Sequence, residues 1–206
     1  MLVTPMPPEH RPALRAADPA VWLLQGQGRH LRGEARALLR ALLAGYLGMA
    51  PEQVPLHFVP GQAPQVDAQW QGMGLSISMS YSQDVALIAL CPGARIGVDV
   101  TAIAALPDWA QVARLYLGPE SAARLAACEA VARETMFALA WAELEARGKC
   151  LGLGLQEWSP ARHERLQERS ILVSAAALDG LRPGQAWALA VTPWCARNSV
   201  AAGTRR

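Results

Sequence analysis

The sequence predicts an α+β protein made of two similar lobes, each a small antiparallel sheet packed on a long helix. Two stretches, 30–47 and 130–150, carry apolar residues at steps of three and four, which is the period of a helix. Shorter alternating or continuously apolar runs follow each of them and indicate strands. Because each half runs from helix to strands, we expect a pseudo-twofold pair of lobes, 1–102 and 103–206.

In the N-terminal half, residues 1 to about 20 are rich in proline and predict an extended lead-in. The helix over 30–47 follows. Gly48 suits its C-terminal cap, and Pro51 stands just beyond that cap. The short segment 55–60, bounded by prolines, is compatible with a strand.

Three further runs, at 75–80, 85–90 and 95–100, predict one small antiparallel sheet. The first alternates apolar residues with serine, as a half-buried strand does, and the other two are continuously apolar. Pro92-Gly93 supplies a turn between the last two strands.

The C-terminal half opens with helical sequence and closes with strands. In order, the patterns predict a short helix at 107–116, a second helix starting at 117–120, a long Ala-rich helix at 130–150, and strands at 171–175 and 186–191. The tail after Thr192 is short and basic, and we expect its end to be frayed.

Composition narrows the class of protein. Hydrophobic residues make up 52% and charged residues 17%, which excludes a disordered chain, and a net charge of +2 disfavours nucleic-acid binding. The four cysteines form no CxxC pair, which favours core thiols over a disulfide framework or zinc site. Prolines interrupt the N-terminal apolar stretch that a signal peptide needs, and no apolar run spans a bilayer. We therefore expect a soluble cytoplasmic protein without membrane contact.

Two places carry side chains suited to chemistry. Asp99 is a carboxylate within an apolar strand, where it needs a partner or a metal ion to offset the cost of burial. Trp141, Glu145 and Lys149 are four residues apart and share one helix face. A carboxylate and an ammonium one turn apart can jointly serve a magnesium-bound phosphate. Taken separately, the same residues also suit a surface salt bridge and a turn or cap carboxylate.

Several motifs occur in a fixed order between residues 29 and 155 and together resemble one enzyme family. They are Arg36-Ala-Leu-Leu-Arg-Ala-Leu-Leu-Ala-Gly-Tyr-Leu-Gly48, Ser78-Met-Ser-Tyr-Ser82, Ile96-Gly-Val-Asp-Val100, Tyr116-Leu-Gly-Pro-Glu120 and Trp141-x-x-x-Glu145-Ala-x-x-Lys149-x-x-Gly152. Lys149, the single lysine of the chain, falls on the lysine of the last motif. The chain resembles the 4′-phosphopantetheinyl transferase superfamily, in particular its larger single-chain type, which activates synthetases such as the surfactin one.

The resemblance implies transfer of 4′-phosphopantetheine from coenzyme A to a serine of an apo acyl or peptidyl carrier protein, with release of adenosine 3′,5′-bisphosphate. It implies that Asp99, Glu145 and Lys149 are catalytic, that Asp99 and Glu145 hold Mg²⁺, and that Thr101 can complete the metal site. Lys149 would contact the pyrophosphate. The other residues implied in coenzyme A binding are Arg29 or Arg32, Ser80 and Tyr81. We expect an acidic carrier protein, steered by arginines, and a monomer, because one chain already forms the pseudo-dimer.

Four positions depart from the pattern of the family. Thr101 stands where many members have a second acidic metal ligand, and Tyr81 replaces a histidine. Leu144 replaces a basic residue, and Gly61-Gln-Ala-Pro64 replaces a Gly-Lys-Pro turn. We therefore predict weaker binding of magnesium and of coenzyme A than in a typical relative, unless Arg147 or Arg29 compensates.

The departures leave two alternatives to an active transferase. One is a degenerate relative that binds coenzyme A or a carrier protein without turnover. The other is a structural α+β interaction module whose motifs match by chance. Retention of Asp99, Glu145 and Lys149 favours the active enzyme over the degenerate relative. The interaction module predicts no coenzyme A binding and no dependence on magnesium.

Overall fold

The computed structural model of the protein describes residues 4–26, 28, 30–67, 74–167, 171–178 and 184–193. In chain order the elements are β1 (Ala20–Gln25), α1 (His30–Leu47), β2 (Leu56–His57), β3 (Gln65–Val66), β4 (Leu75–Ser82), β5 (Val85–Pro92), β6 (Ala94–Ala102), α2 (Trp109–Val112), α3 (Pro119–Ala126), α4 (Ala130–Leu151), α5 (Pro160–Leu166), β7 (Leu172–Ala177) and β8 (Gln185–Pro193). They form a mixed α+β fold of helices and small antiparallel sheets. In these ranges no helix has the length and hydropathy needed to cross a bilayer.

Both long helices match their sequence predictions. α1 covers the whole predicted stretch, and leucines at helical spacing on one face are buried. α4 ends where Gly152 takes a left-handed conformation with φ of 68°, which a glycine adopts without steric cost. The predicted helix at 107–116 is divided into α2 and a π-helical turn over Ala113–Leu117.

β1 is a strand that the sequence pattern did not predict, and it begins where the predicted extended lead-in ends, near residue 20. It pairs antiparallel with β5 along its whole length, and Met6 joins its other side through hydrogen bonds with Val21 and Leu23. The expected order of helix before strands is therefore wrong for the N-terminal half. Ala20-Val-Trp-Leu is a run of apolar residues buried on both faces, and such a run has no alternation to mark it as a strand.

The predicted three-stranded sheet at 75–100 is also wrong in its pairing. β4 and β5 pair as expected and join β1, in the order β1-β5-β4. β6 leaves this sheet after the turn at Gly93 and pairs with β8, in the order β6-β8-β7. Periodicity marks where a strand lies, but the partner of β6 is about ninety residues away, a long-range choice that local sequence does not encode.

The serines of β4 face the protein interior rather than solvent. Ser78 and Ser80 are 3% and 5% exposed. Their hydroxyls, with that of Ser76, accept hydrogen bonds from backbone N–H groups of β6. The prediction of a half-buried strand is thus wrong for this face, because the neighbouring strand uses the hydroxyls as partners for its own N–H groups.

The two sheets pack on each other between the two long helices. α1 covers the outer side of the first sheet, and α4 covers the outer side of the second. The core between the sheets contains residues of β1 and β5 on one side and of β6 and β8 on the other. Two thiols, Cys91 and Cys150, are buried in these layers, and Cys128 is partly exposed; all three are free. Cys195 lies outside the described residues.

Candidate functional site

Asp99 is the centre of the candidate site. It lies on β6, its residue is 6% exposed, and both oxygens of its carboxylate accept hydrogen bonds from side chains. Oδ1 accepts from Ser80 Oγ at 2.7 Å and from Lys149 Nζ at 2.7 Å, and Oδ2 accepts from Thr101 Oγ1 at 3.0 Å. The buried charge is therefore compensated by one cation and two hydroxyls.

Lys149 reaches Asp99 from the last turn of α4. Its ammonium also donates to the carbonyl of Val98 at 3.2 Å. The two partners of this ion pair are 50 positions apart in sequence and on different elements. A lysine ammonium has three N–H donors, and partners among the described residues use two of them, which leaves one for a ligand.

Gly97 allows α4 to approach β6 this closely. A Cβ atom at residue 97 would lie 2.0 Å from the carbonyl oxygen of Ala146 and 2.5 Å from the amide nitrogen of Cys150. Both of these are backbone atoms of α4, which cannot swing aside as a side chain can. The glycine of the Gly-Val-Asp segment therefore sets the distance between the strand that carries Asp99 and the helix that carries Lys149.

Glu145 lies one turn before Lys149 on α4, next to the same cluster. Burial raises the pKa of its carboxyl, and the negative charge of Asp99 raises that pKa further. The cations Lys149 and Arg162 act in the opposite direction. The site thus combines two carboxylates with two cations. Arg162 was not among the predicted site residues, because an arginine in a short polar helix that also contains Arg165 has no pattern that points to a site.

A second group of candidate residues meets where α1 passes β4. The guanidinium of Arg32 lies over the ring of Tyr81 at 4.6 Å, and that of Arg36 lies over Phe58 at 4.6 Å. Burial raises the pKa of the Tyr81 phenol, against the opposing effect of Arg36 and Arg32, so Tyr81 stays a neutral hydrogen-bond donor. Arg29, the other arginine predicted here, lies outside the described residues.

The predicted site residues thus fall into two groups. Asp99, Glu145, Lys149, Thr101 and Ser80 come together at β6, although the hydrogen bonds of the two hydroxyls to Asp99 were not foreseen. Arg32 and Tyr81 form a separate pair, and Tyr81 is the residue that follows Ser80 on β4. Arg36 was identified only as part of a helical motif, and its place beside Tyr81 is new.

One departing position, Leu144, and Arg147, which was expected to compensate for a missing cation, lie elsewhere. Leu144 and Arg147 line a cavity of about 530 Å³ between α3, α4 and α5, which neither Glu145 nor Lys149 lines. Arg147 pairs there with Glu143 at 2.9 Å and donates to the carbonyl of Leu166 at 2.7 Å. It is thus engaged away from Asp99, which weakens the expectation that it replaces a missing cation.

The carboxylate pair fits a magnesium ion. Among the described residues no group of three or more His, Cys, Asp or Glu side chains could hold a metal. Mg²⁺, however, is usually held through one or two carboxylates, with water and substrate phosphates as its other ligands. Asp99 and Glu145 would supply the two carboxylates, and the Thr101 hydroxyl is bonded to Asp99 Oδ2 beside them.

Comparison with known proteins points to one family. A sequence model described as the 4′-phosphopantetheinyl transferase superfamily matches residues 95–203, more than half of the chain. The 4′-phosphopantetheinyl transferase HetI of Nostoc sp. strain PCC 7120 is 27% identical over 154 residues, which cover 75% of this chain and 62% of HetI. The Synechocystis sp. strain PCC 6803 protein named "Putative 4′-phosphopantetheinyl transferase slr0495" is 26% identical over 172 residues, or 74% of this chain and 69% of that protein. The chain thus spans less than two thirds of the length of HetI. Because the family model matches more than half of the chain, the chain belongs to the 4′-phosphopantetheinyl transferase superfamily.

Proposed function

We propose that this chain transfers 4′-phosphopantetheine from coenzyme A to a serine of an apo acyl or peptidyl carrier protein, in a magnesium-dependent reaction that releases adenosine 3′,5′-bisphosphate. The observation that carries the proposal is the ion pair of Asp99 and Lys149, 2.7 Å long, with Glu145 beside it. Membership of a family that acts on carrier proteins with coenzyme A supports it.

The proposed step is a displacement at phosphorus. The serine Oγ of the carrier protein bonds to the β-phosphorus of coenzyme A, and the bond from that phosphorus to the bridging oxygen breaks. The bond electrons leave with the adenosine 3′,5′-bisphosphate, and the serine proton passes to a base. Negative charge grows on the phosphate oxygens. A bound Mg²⁺ would neutralise part of that charge.

The protein residues have separate roles in this proposal. Asp99 and Glu145 hold the metal, with the Thr101 hydroxyl as a further oxygen. Glu145 also accepts the serine proton, directly or through water. Lys149 uses its remaining N–H for a pyrophosphate oxygen and assists the leaving group.

Coenzyme A binding is proposed for Arg32 and Tyr81, with Arg29 and Ser80 assigned by resemblance. Arg36 adds a cation close to Tyr81 and Phe58. The neutral phenol of Tyr81 donates to Met79 Sδ at 3.7 Å, and it would have to turn from that sulfur to donate to a phosphate oxygen. A histidine of a relative can also carry charge. We therefore propose weaker coenzyme A binding than in relatives that keep the histidine.

We also infer that the chain is a transferase of the larger single-chain type. In this proposal it is a cytoplasmic monomer with two lobes that are related by a pseudo-twofold axis and divided near residue 102. The acidic surface expected of the carrier protein suits the arginines of α1. β6 lies before that division and pairs with β8 after it, so the lobes would share a sheet.

A non-catalytic relative is the second candidate function. It is favoured by Thr101, which leaves the metal site with fewer negative charges than in many members. Such a protein would bind coenzyme A or a carrier protein without transferring phosphopantetheine or releasing adenosine 3′,5′-bisphosphate.

The test is incubation with an apo carrier protein, coenzyme A and Mg²⁺, followed by intact-mass measurement of the carrier protein. We expect the mass of one phosphopantetheine to be added at its serine, and no addition with Glu145→Ala or without Mg²⁺. Glu134→Ala, on the same helix but away from the cluster, is the matched control and should keep the activity. Binding without a mass change across a panel of carrier proteins would instead identify the non-catalytic relative.

A further inference from the structure

A ladder of serine hydroxyls joins the two sheets. Ser76, Ser78 and Ser80 occupy every second position of β4. Their Oγ atoms accept hydrogen bonds from the N–H groups of Ile96, Val98 and Val100 at 3.1, 3.0 and 3.3 Å, in that order. The hydroxyls thus take the place of the carbonyls of a partner strand along the side of β6 that does not face β8.

Ser80 differs from the other two serines in what its proton does. Its Oγ accepts from the Val100 N–H and at the same time donates to Asp99 Oδ1 at 2.7 Å. A hydroxyl has a single proton, so this donor is committed to the carboxylate. Thr101 donates its own proton to Oδ2, the other oxygen of the same carboxylate.

These hydrogen bonds determine which oxygen of the Asp99 carboxylate can still accept a ligand. Each carboxylate oxygen accepts about two hydrogen bonds. Ser80 and Lys149 fill Oδ1, whereas on Oδ2 the described residues provide only the Thr101 bond and leave one acceptor direction open. Rotation of the carboxylate about its bond to Cβ would break contacts on both oxygens, so its plane is held from two strands.

We propose that Ser80 is a positioning residue that, with Thr101, holds the Asp99 carboxylate in the orientation in which Oδ2 meets a divalent cation. This inference rests on the proposed function, and it assigns Ser80 to the carboxylate rather than to a coenzyme A phosphate. Groups that orient a metal ligand in this way typically affect metal affinity or activity by about 10- to 100-fold.

The matched pair Ser80→Ala and Ser78→Ala separates this role from the ladder. Both variants lose one hydroxyl bond to β6, and both serines are buried. Only Ser80→Ala also removes a hydrogen bond from Asp99 Oδ1. We therefore expect both variants to lose melting temperature, Ser80→Ala more than Ser78→Ala, and only Ser80→Ala to lose metal affinity.

The experiment measures Mn²⁺ binding to the full chain by electron paramagnetic resonance of free Mn²⁺, with and without coenzyme A and without any carrier protein. We expect the Kd of Ser80→Ala for Mn²⁺ to rise about 10- to 100-fold and that of Ser78→Ala to stay at the wild-type value. Thr101→Val, at a partly exposed position, should raise the Kd in the same direction, and Thr101→Ser should restore it.

Three results overturn the proposal. One is an unchanged Mn²⁺ affinity in Ser80→Ala, including the case in which only its KM for coenzyme A rises. Another is an equal loss of affinity in Ser78→Ala and Ser80→Ala, which would mean that the ladder alone matters. The third is a wild-type chain that does not bind Mn²⁺ even with coenzyme A. A wild-type chain that binds Mn²⁺ but modifies no carrier protein would instead overturn the proposed function and leave the role of Ser80 standing.

Discussion

At the scale of single residues, Asp99 is a buried carboxylate whose charge is compensated by neighbouring side chains. An unpaired carboxylate at 6% exposure would be costly, and here one ammonium and two hydroxyls remove that cost. The sequence predicted the ion-pair residues through their motifs. It did not predict the bond of Ser80 to Asp99, because that bond depends on which side of β6 faces β4. The bond of Thr101, two residues further along β6, was not predicted either.

Replacement of the lysine tests how much of this compensation is ionic. Lys149→Met keeps an unbranched side chain and removes the charge. We expect the free energy of unfolding to fall by roughly 1–3 kcal/mol, because a buried acceptor loses its charged donor. Lys149 is itself 31% exposed on its side chain, which keeps the loss in the lower part of that range.

Urea unfolding at neutral pH, with and without Mg²⁺, checks this expectation. Mg²⁺ should recover part of the loss, because a cation held by Asp99 and Glu145 replaces the missing charge. Lys149→Arg, which keeps a cation of a different shape, is the control and should lose less stability than Lys149→Met. Unchanged stability in Lys149→Met would show that the ion pair contributes little.

At the scale of elements, the site depends on the close contact of α4 with β6. Asp99 and Lys149 meet because the helix backbone lies directly on the strand at Gly97. Helix periodicity predicted that Glu145 and Lys149 share a face. It contained nothing about the distance from that face to the strand, which depends on the absence of a side chain at residue 97.

Gly97→Ala tests this contact. The new Cβ would lie 2.0 Å from the Ala146 carbonyl oxygen, so α4 has to move away from the strand. We expect a loss of roughly 1–3 kcal/mol or more from overpacking, together with weaker Mn²⁺ binding.

The control is Gly45→Ala in α1, where nothing lies within 4 Å of the added atom. It should stabilise the protein by about 0.4–1 kcal/mol, since alanine restricts the unfolded chain. Thermal and urea unfolding of both variants compare the two positions. A Gly97→Ala protein as stable as wild type would contradict the close approach.

At the scale of the whole molecule, two sheets between two helices bury thiols in separate layers. Burial raises the pKa of Cys91 and of Cys150 to about 11. Such thiols contain almost no thiolate near neutral pH, and the thiolate is the reactive form. Cys128 is partly exposed and lies at the end of α3.

Alkylation mapped by mass spectrometry tests this layering. At pH 8 we expect iodoacetamide to modify Cys128 in the native protein, and Cys91 and Cys150 only at the rate of global unfolding. Stability should also fall as the pH rises from about 9 to about 11, because the unfolded thiols lose their protons first. Fast native modification of Cys91 or Cys150 would show that these layers open locally.

By itself, the sequence determined what local periodicity and motif order encode: both long helices, the strands other than β1 and β3, and the motifs that contain Asp99, Glu145 and Lys149. Only the tertiary structure decided that β6 pairs with β8, that β1 joins β5, and that the serines of β4 face β6. The physical reason is how far apart in the sequence the interacting residues are. A helix or a strand follows from the spacing of neighbouring side chains, whereas strand partners and the contacts of a buried hydroxyl depend on residues that folding brings together from distant parts of the chain.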